Sequence, residues 1–257
     1  MTDETLAPDA PAASEAAATG PAPTAKKRPR GFWIFLRDIL FILLAALVIS
    51  FLIKTFLIRS FFIPSGSMEN TLLINDRVVV SLLTPSLVPL QRGDVIVFTD
   101  PGKWLDGDDA PPAAPSTPLN TALAFVGLVP PNDNSHLIKR VVGLPGDTVH
   151  CCTTAGELTV NGVAIDEPYL FPQPDQTRAD PDLFTVTVPK GELWVMGDHR
   201  YDSKDSAFHE AEKDTTPFVP ISNVTGQAFV ISWPASRWTW LGNYPAVFGE
   251  VPNKPTR

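Results

Sequence analysis

ILFILLAALVISFLI, from Ile39 to Ile53, is fifteen residues without a charge, and past Lys54 the apolar run resumes as Thr55, Phe56, Leu57 and Ile58. Twenty helical residues rise about 1.5 Å each and so reach roughly 30 Å, the thickness of a bilayer's hydrocarbon core. A helix lying on a soluble domain needs a polar face, and this run has none. Lys54, one turn from the end, can extend its ammonium to the headgroups. The run follows a basic stretch, as the core of a cleavable signal peptide does, yet residues 53–62 offer no pair of small residues spaced for cleavage. The reading is a retained transmembrane anchor over 33–58.

On the N-terminal side, Lys26, Lys27, Arg28, Arg30 and Arg37 precede the run, whereas Arg59 and Arg77 follow it. By the positive-inside rule the N-terminus is cytoplasmic and the chain beyond 59 is exported. Residues 1–32 are Ala, Pro, Thr and acids ahead of the basic cluster, with no hydrophobic period, so a disordered cytoplasmic tail is expected. The 257 residues carry 20 Lys+Arg and 28 Asp+Glu, a net charge of −8. Residues 1–58 hold 6 basic and 5 acidic groups, leaving 14 and 23 beyond, so the acidity belongs to the exported part. Phosphate binding needs clustered Lys and Arg, and none appears there, which argues against a nucleic-acid partner.

On the C-terminal side the pattern changes to short alternating or β-branched runs at Arg77–Leu82, Asp94–Thr99, His136–Val142, Glu157–Val160, Phe184–Val188, Glu192–Met196 and Gly226–Ser232. Turn signals separate them, among them Arg92-Gly93-Asp94, Leu144-Pro145-Gly146-Asp147 and Asn161-Gly162. With 27 Pro in the chain, loops and edge strands are expected rather than a helical bundle. The fold class is therefore mainly β: one N-terminal transmembrane helix, then an antiparallel β-rich extracytoplasmic domain over 59–257. The seven prolines of 101–135 mark an excursion from its core. The two cysteines are the neighbours Cys151 and Cys152, which neither staple distant segments nor build a four-Cys zinc site, and whose side chains diverge if both lie on a strand. About 200 residues bury a core without such staples.

Beyond the anchor the chain reads Phe61-Phe62-Ile63-Pro64-Ser65-Gly66-Ser67-Met68-Glu69-Asn70-Thr71-Leu72. By itself this is a Ser-Gly turn joining anchor to domain. Lys139 adds chemistry. In Leu137-Ile138-Lys139-Arg140-Val141-Val142 a period of two puts Leu137, Lys139 and Val141 on one face and Ile138, Arg140 and Val142 on the other. If the first face is buried, the Lys139 amine is desolvated, its pKa falls, and it can take a proton from a serine hydroxyl. If the second is buried, Lys139 is solvated and Arg140 sits in a salt bridge. Alternation leaves both open. The histidines His136, His150, His199 and His209 lie in no nucleophile-elbow motif, and His199 and His209 have no ligand-spaced partners, so no metal or cofactor is expected.

Four stretches, PSGSM at 64–68 with TL at 71–72, RGDVIVF at 92–98, IKRVVGLPGD at 138–147 and MGDHRYDSKDS at 196–206, stand in order behind a single span. Together they resemble the type I signal peptidases across almost all of 33–245, and the single span is similar to the Gram-positive and actinobacterial enzymes. The resemblance implies a membrane-anchored serine endopeptidase of the plasma membrane that removes N-terminal signal peptides from secreted precursors near the export machinery, without a cofactor. It makes Ser67 the nucleophile and Lys139 the general base, with the Ser65 hydroxyl and the Ser67 backbone N–H as oxyanion donors. It gives Ser203 the orienting of Lys139 and matches Gly197 and Asp198 to the start of the last motif. Asp198, Arg140 and Asp205 are expected to lend structural support, Asp198 by pairing with Arg140 on the face opposite Lys139. A precursor's extended segment would lie beside Phe61–Ser65 or Leu137, its small side chains entering apolar pockets lined by Phe61, Ile63, Pro64, Met68, Leu72 and Ile138. The chain departs from the family pattern where Asp202 and His199 replace Asn and Ala207 replaces Arg. The last change removes one expected partner of Asp205. Two other readings compete: a self-cleaving Ser-Lys repressor, which needs a DNA-binding domain where this chain has tail and anchor, and a catalytically silent tethered β-module, in which Ser67 and Lys139 are dispensable.

Overall fold

The computed structural model describes residues 30–105, 136–213 and 215–254. Most of the expected tail and most of the Pro-rich stretch at 101–135 lie outside the described residues. Helix α1 runs from Arg30 to Phe56 and is long and apolar enough to cross a membrane. None of its apolar window is buried by protein, which fits a helix whose surface is meant for lipid. The helix ends two residues before the expected boundary at 58, because Ile58 opens strand β1 and pairs with Ser81.

Twelve strands follow among the described residues, all paired antiparallel. They are β1 (Ile58–Phe62), β2 (Arg77–Ser81), β3 (Val95–Thr99), β4 (His136–Gly143), β5 (Thr148–Cys151), β6 (Leu158–Val160), β7 (Val163–Ile165), β8 (Phe184–Thr187), β9 (Glu192–Met196), β10 (Val219–Pro220), β11 (Val224–Trp233) and β12 (Thr239–Trp240). The larger sheet has the order β1-β2-β11-β3-β4-β9-β10 with β12 on β11, and the smaller has the order β7-β6-β5-β8. All seven expected strands are present to within two residues at either end. The strands not anticipated are β1, hidden in the apolar continuation of the anchor, β5, and the two- or three-residue β7, β10 and β12, whose length gives alternation nothing to display.

Strand β4 is central, flanked by β3 and β9, and its residues from Ile138 to Gly143 are all buried. The alternation at 137–142 therefore offered a false choice, since both faces are covered. Ile138 packs with Ile63, Met68, Leu72 and Val97, while Val141 packs with Ile96, Phe98 and Val195 on the other side. Around Trp194, the buried residues Val149, Leu158, Val186 and Val188 tie the smaller sheet to β9. Cys151 and Cys152 are disulfide-bonded. The divergence expected of strand neighbours does not apply, because β5 ends at Cys151 and the second cysteine has left the strand.

The 63–76 loop between β1 and β2 carries both Ser65 and Ser67 and is closed at its base. Ile63 donates its N–H to the Asp76 carbonyl, and Asn75 to the Ile63 carbonyl, each at 2.9 Å. The buried Asp76 carboxylate accepts from the Leu73 N–H at 2.8 Å and from Arg237 Nε at 2.9 Å. Arg237 Nη2 also reaches the Thr71 carbonyl at 3.2 Å. Asp76→Asn keeps the shape but removes the charge that holds Arg237. Thermal unfolding of the full chain in detergent should register a loss of about 2 kcal/mol.

Candidate active site

Ser67 reaches its position because β1 and β2 fix both ends of its loop, and Met68 and Leu72, wholly enclosed by the core, hold the middle down. The Leu72 N–H closes onto the Met68 carbonyl at 2.7 Å. Lys139 arrives from β4, and its Nζ donates to Ser67 Oγ at 2.6 Å. The lysine is 3% exposed and the serine 8%, so the contact is almost dry. Burial lowers the Lys139 pKa from its usual 10.5 to about 8, against the opposing pull of Asp205, Asp198 and Asp202. At pH 7 about a tenth of an amine at this pKa is unprotonated and able to accept a proton, and the fraction grows as the pH rises.

The neighbouring Arg140 points away from the dyad. Its Nε and Nη2 clasp the two oxygens of Asp198 at 2.8 and 2.6 Å, with both side chains fully buried. A two-point clasp of this kind is strong only when the remaining polar atoms are satisfied. Here Arg140 Nη1 donates to the Gly93 carbonyl at 2.7 Å, and the Thr71 hydroxyl donates to Asp198 Oδ2 at 2.5 Å. The guanidinium also lies 4.0 Å from the Tyr169 ring centroid and 5.2 Å from that of Tyr244. Thr71 thus links the Ser67 loop to the pair beneath it. Sequence reading assigned no part to Tyr169, Tyr244 or the Thr71 hydroxyl, and nothing local marks the two tyrosines, which come from loops far away in the chain.

Strand β9 supplies the third wall. Arg140 lies opposite Met196, so the next residue on, Gly197, lies alongside Lys139. A Cβ on Gly197 would meet the Ser67 carbonyl oxygen at 2.5 Å and Ser203 Cβ at 2.6 Å, so only glycine lets these segments close up. Ser203 Oγ donates to Asp205 Oδ2 at 2.6 Å, which leaves its oxygen free to accept. Asp205 also caps helix α2 (Ser206–Glu212) through the Ala207 N–H at 3.0 Å and accepts from the Gly197 N–H at 2.8 Å. These three donors satisfy its carboxylate although the family's arginine is replaced by Ala207.

Ser65 is exposed beside Ser67. The six residues expected to line substrate pockets divide. Pro64 is exposed and Phe61 half-buried, but Ile63, Met68, Leu72 and Ile138 belong to the core beneath the loop. Met68 and Leu72 have no accessible surface, so they back the site and present no face to a peptide. Among the histidines, His209 stacks on Trp104 with ring centroids 4.6 Å apart and His150 Nδ1 lies 2.8 Å from Thr185 Oγ1. Neither stands at Ser67 in place of Lys139. The described residues hold no cluster suited to a metal ion.

The stretches that frame the Ser67–Lys139 contact fall within the span of a known family. The family model described as signal peptidase, peptidase S26, matches residues 36–233. The chain belongs to the signal peptidase S26 family. As a member of that family it is a peptidase. It is 38% identical over 222 residues to a Mycobacterium tuberculosis protein named signal peptidase I, covering 79% of this chain and 74% of that one. A signal peptidase I of Leptolyngbya laminosa is 33% identical over 89% of this chain and 94% of its own length. One from Pseudomonas aeruginosa is 31% identical over 72% and 68%. A crystal structure of a signal peptidase I from Enterococcus faecalis V583 shares 25% identity over 54% of this chain and 95% of that one, with a TM-score of 0.34, a likeness too loose to carry weight.

Two outcomes follow for this S26 site. Because the folded pKa of Lys139 is about 8 and its usual value is 10.5, the folded chain binds fewer protons between those limits, so stability rises with pH across that window. Below it the buried ammonium costs about 3 kcal/mol. Lys139→Met should therefore raise the Tm at pH 7 by roughly 5 °C, measured by thermal unfolding in detergent. Gly197→Ala should keep most of the secondary structure by circular dichroism while lowering activity by about 100-fold or more, because its Cβ parts Ser67 from Ser203.

Proposed function

We propose that this chain is a membrane-anchored serine endopeptidase that removes N-terminal signal peptides from exported precursors. The observation that carries the reading is the 2.6 Å contact from Lys139 Nζ to Ser67 Oγ in a nearly dry setting. A neutral Lys139 takes the Ser67 proton as Oγ attacks the scissile carbonyl, and returns it to the departing amine. The Ser67 N–H and the Ser65 hydroxyl face the developing oxyanion, each contributing about 3 kcal/mol of transition-state stabilisation. Ser203, whose own proton is committed to Asp205, offers Lys139 an acceptor that aims the amine. Asp198 and Arg140 hold the floor on which the loop rests.

The relatives carry the name signal peptidase I, and an apolar helix of 27 residues precedes the catalytic domain. Both support a precursor held in the bilayer by its own signal sequence and presented to the enzyme there. The basic flank ahead of the helix supports a cytoplasmic N-terminus and an extracytoplasmic catalytic domain, close to where precursors emerge. A catalytically silent module would have no use for a lysine amine desolvated against a serine hydroxyl, a cost of stability without return.

The test is the full-length protein in detergent or proteoliposomes with a model precursor, followed by appearance of the mature product. Ser67→Ala and Lys139→Ala should each lower the rate by a factor on the order of 10⁴ or more. Either variant retaining cleavage would sink the dyad. With the wild type, kcat/KM should climb about tenfold per pH unit below the Lys139 pKa of about 8 and level off above it. A flat profile from pH 6 to 9 would remove lysine as the base.

A further inference from the structure

The turn that carries Ser67 is held by residues outside the dyad. The Glu69 N–H donates to the Gly66 carbonyl at 2.9 Å, closing the turn, and the His199 N–H donates to the Ser67 carbonyl at 3.1 Å. The Glu69 side chain folds back over Gly66, where an added Cβ would meet its Cδ at 3.1 Å and its Oε1 at 3.2 Å. Its Oε2 lies 3.3 Å from His199 Nδ1. His199 thus approaches the turn twice, by its backbone at the centre and by its ring at the end.

The ring is itself fixed from behind. It stacks on Phe171 with centroids 4.2 Å apart and planes 27° from parallel, and its Nε2 lies 2.8 Å from Gln173 Nε2. Gln173 Oε1 in turn accepts from Gln176 Nε2 at 3.4 Å. An amide NH2 group only donates, so Nε2 is the acceptor and the neutral imidazole carries its proton on Nδ1. That Nδ1 is buried and has no aligned hydrogen bond. An unsatisfied buried donor costs about 1–3 kcal/mol, and Glu69 Oε2 is the carboxylate beside it. At 3.3 Å the two are already within reach, so a small reorientation that points the N–H at Oε2 joins them, and catalytic contacts commonly tighten in this way when substrate binds.

We propose that His199 and Glu69 are a positioning pair: with substrate in place the Nδ1–H donates to Glu69 and locks the 66–69 turn, so that the Ser67 N–H and hydroxyl are held on the scissile carbonyl. The proposal rests on Ser67 being the nucleophile. Neither His199 nor Glu69 touches the reacting atoms, and both act through the turn. A misplacement of about 1 Å there costs on the order of 100-fold in rate. Phe171 and Gln173 come from the 166–183 loop, whose Tyr169 and Leu170 carbonyls also accept from Asn70 Nδ2 at 3.1 and 3.0 Å, so the His199 ring is one of two points at which this loop meets the Ser67 loop.

The test compares kcat and KM on a model precursor for full-length protein in detergent. His199→Ala and Glu69→Ala should each lower kcat about 10- to 100-fold with KM within about twofold. The double variant should be no worse than the poorer single one, because the two remove the same lock. His199→Asn, which restores a donor toward Glu69, should recover at least a third of the wild-type kcat. Losses that multiply, an effect confined to KM, or His199→Asn as impaired as His199→Ala would each overturn the pair. If His199→Ala does not fold, His199→Phe keeps the stack on Phe171 and loses both polar contacts, and full activity in it overturns the proposal. A Ser67→Ala control separates the two readings. If that control cleaves, the dyad fails. If it is inactive while His199→Ala and Glu69→Ala are unimpaired, only the positioning pair fails.

Discussion

Burying a lysine amine against a serine hydroxyl is expensive, and the architecture around Ser67 exists to make that contact tolerable. A fully solvated lysine would be charged near neutrality, so the proposed role as a base requires that water be kept from Nζ. The chain does this by placing Lys139 on β4, a strand covered on both faces, and by closing the 63–76 loop over it. The surrounding carboxylates of Asp205, Asp198 and Asp202 moderate the effect, since each favours the charged amine. The balance leaves the pKa near 8, within reach of working pH, where complete burial without those acids would push it further down.

The same strand supplies the second constraint. Arg140, one residue on, is turned to the opposite face, and its charge is neutralised in place by Asp198. That pair is equally costly to desolvate and is satisfied only because Gly93, Thr71 and two tyrosine rings complete its surroundings. Asp198 follows β9 directly after Gly197, the glycine that lets Ser67 and Ser203 approach. Three stretches distant in the chain therefore meet at one point, and each holds the next. Asp205 shows the economy of the arrangement: one carboxylate caps a helix, holds the Gly197 N–H and fixes the Ser203 hydroxyl.

Much of the fold was legible. The anchor announced itself by an uninterrupted apolar run, and seven of the strands by alternation bounded by turn residues. What escaped was short or ambiguous: β1 reads as more of the anchor, and β10 and β12 have two residues each. The burial of Lys139 could not be read from its period, because alternation tells two faces apart but not whether a strand is covered on both. Met68 and Leu72 looked suitable for a substrate pocket by type and place, yet packing encloses them, and only packing decides which apolar residues remain accessible.

Sequence by itself determined that an apolar helix precedes an acidic, mainly β domain, and through four stretches in order it named Ser67 and Lys139 as the residues to watch. These are local or one-dimensional properties: charge, hydropathy, period and order along the chain. Tertiary structure alone decided that the two meet at 2.6 Å in a dry setting, that Arg140 is clasped by Asp198, and that His199 faces Glu69 beside Ser67. Those are distances between segments up to about 130 residues apart, set by strand register and by which side chains exclude water.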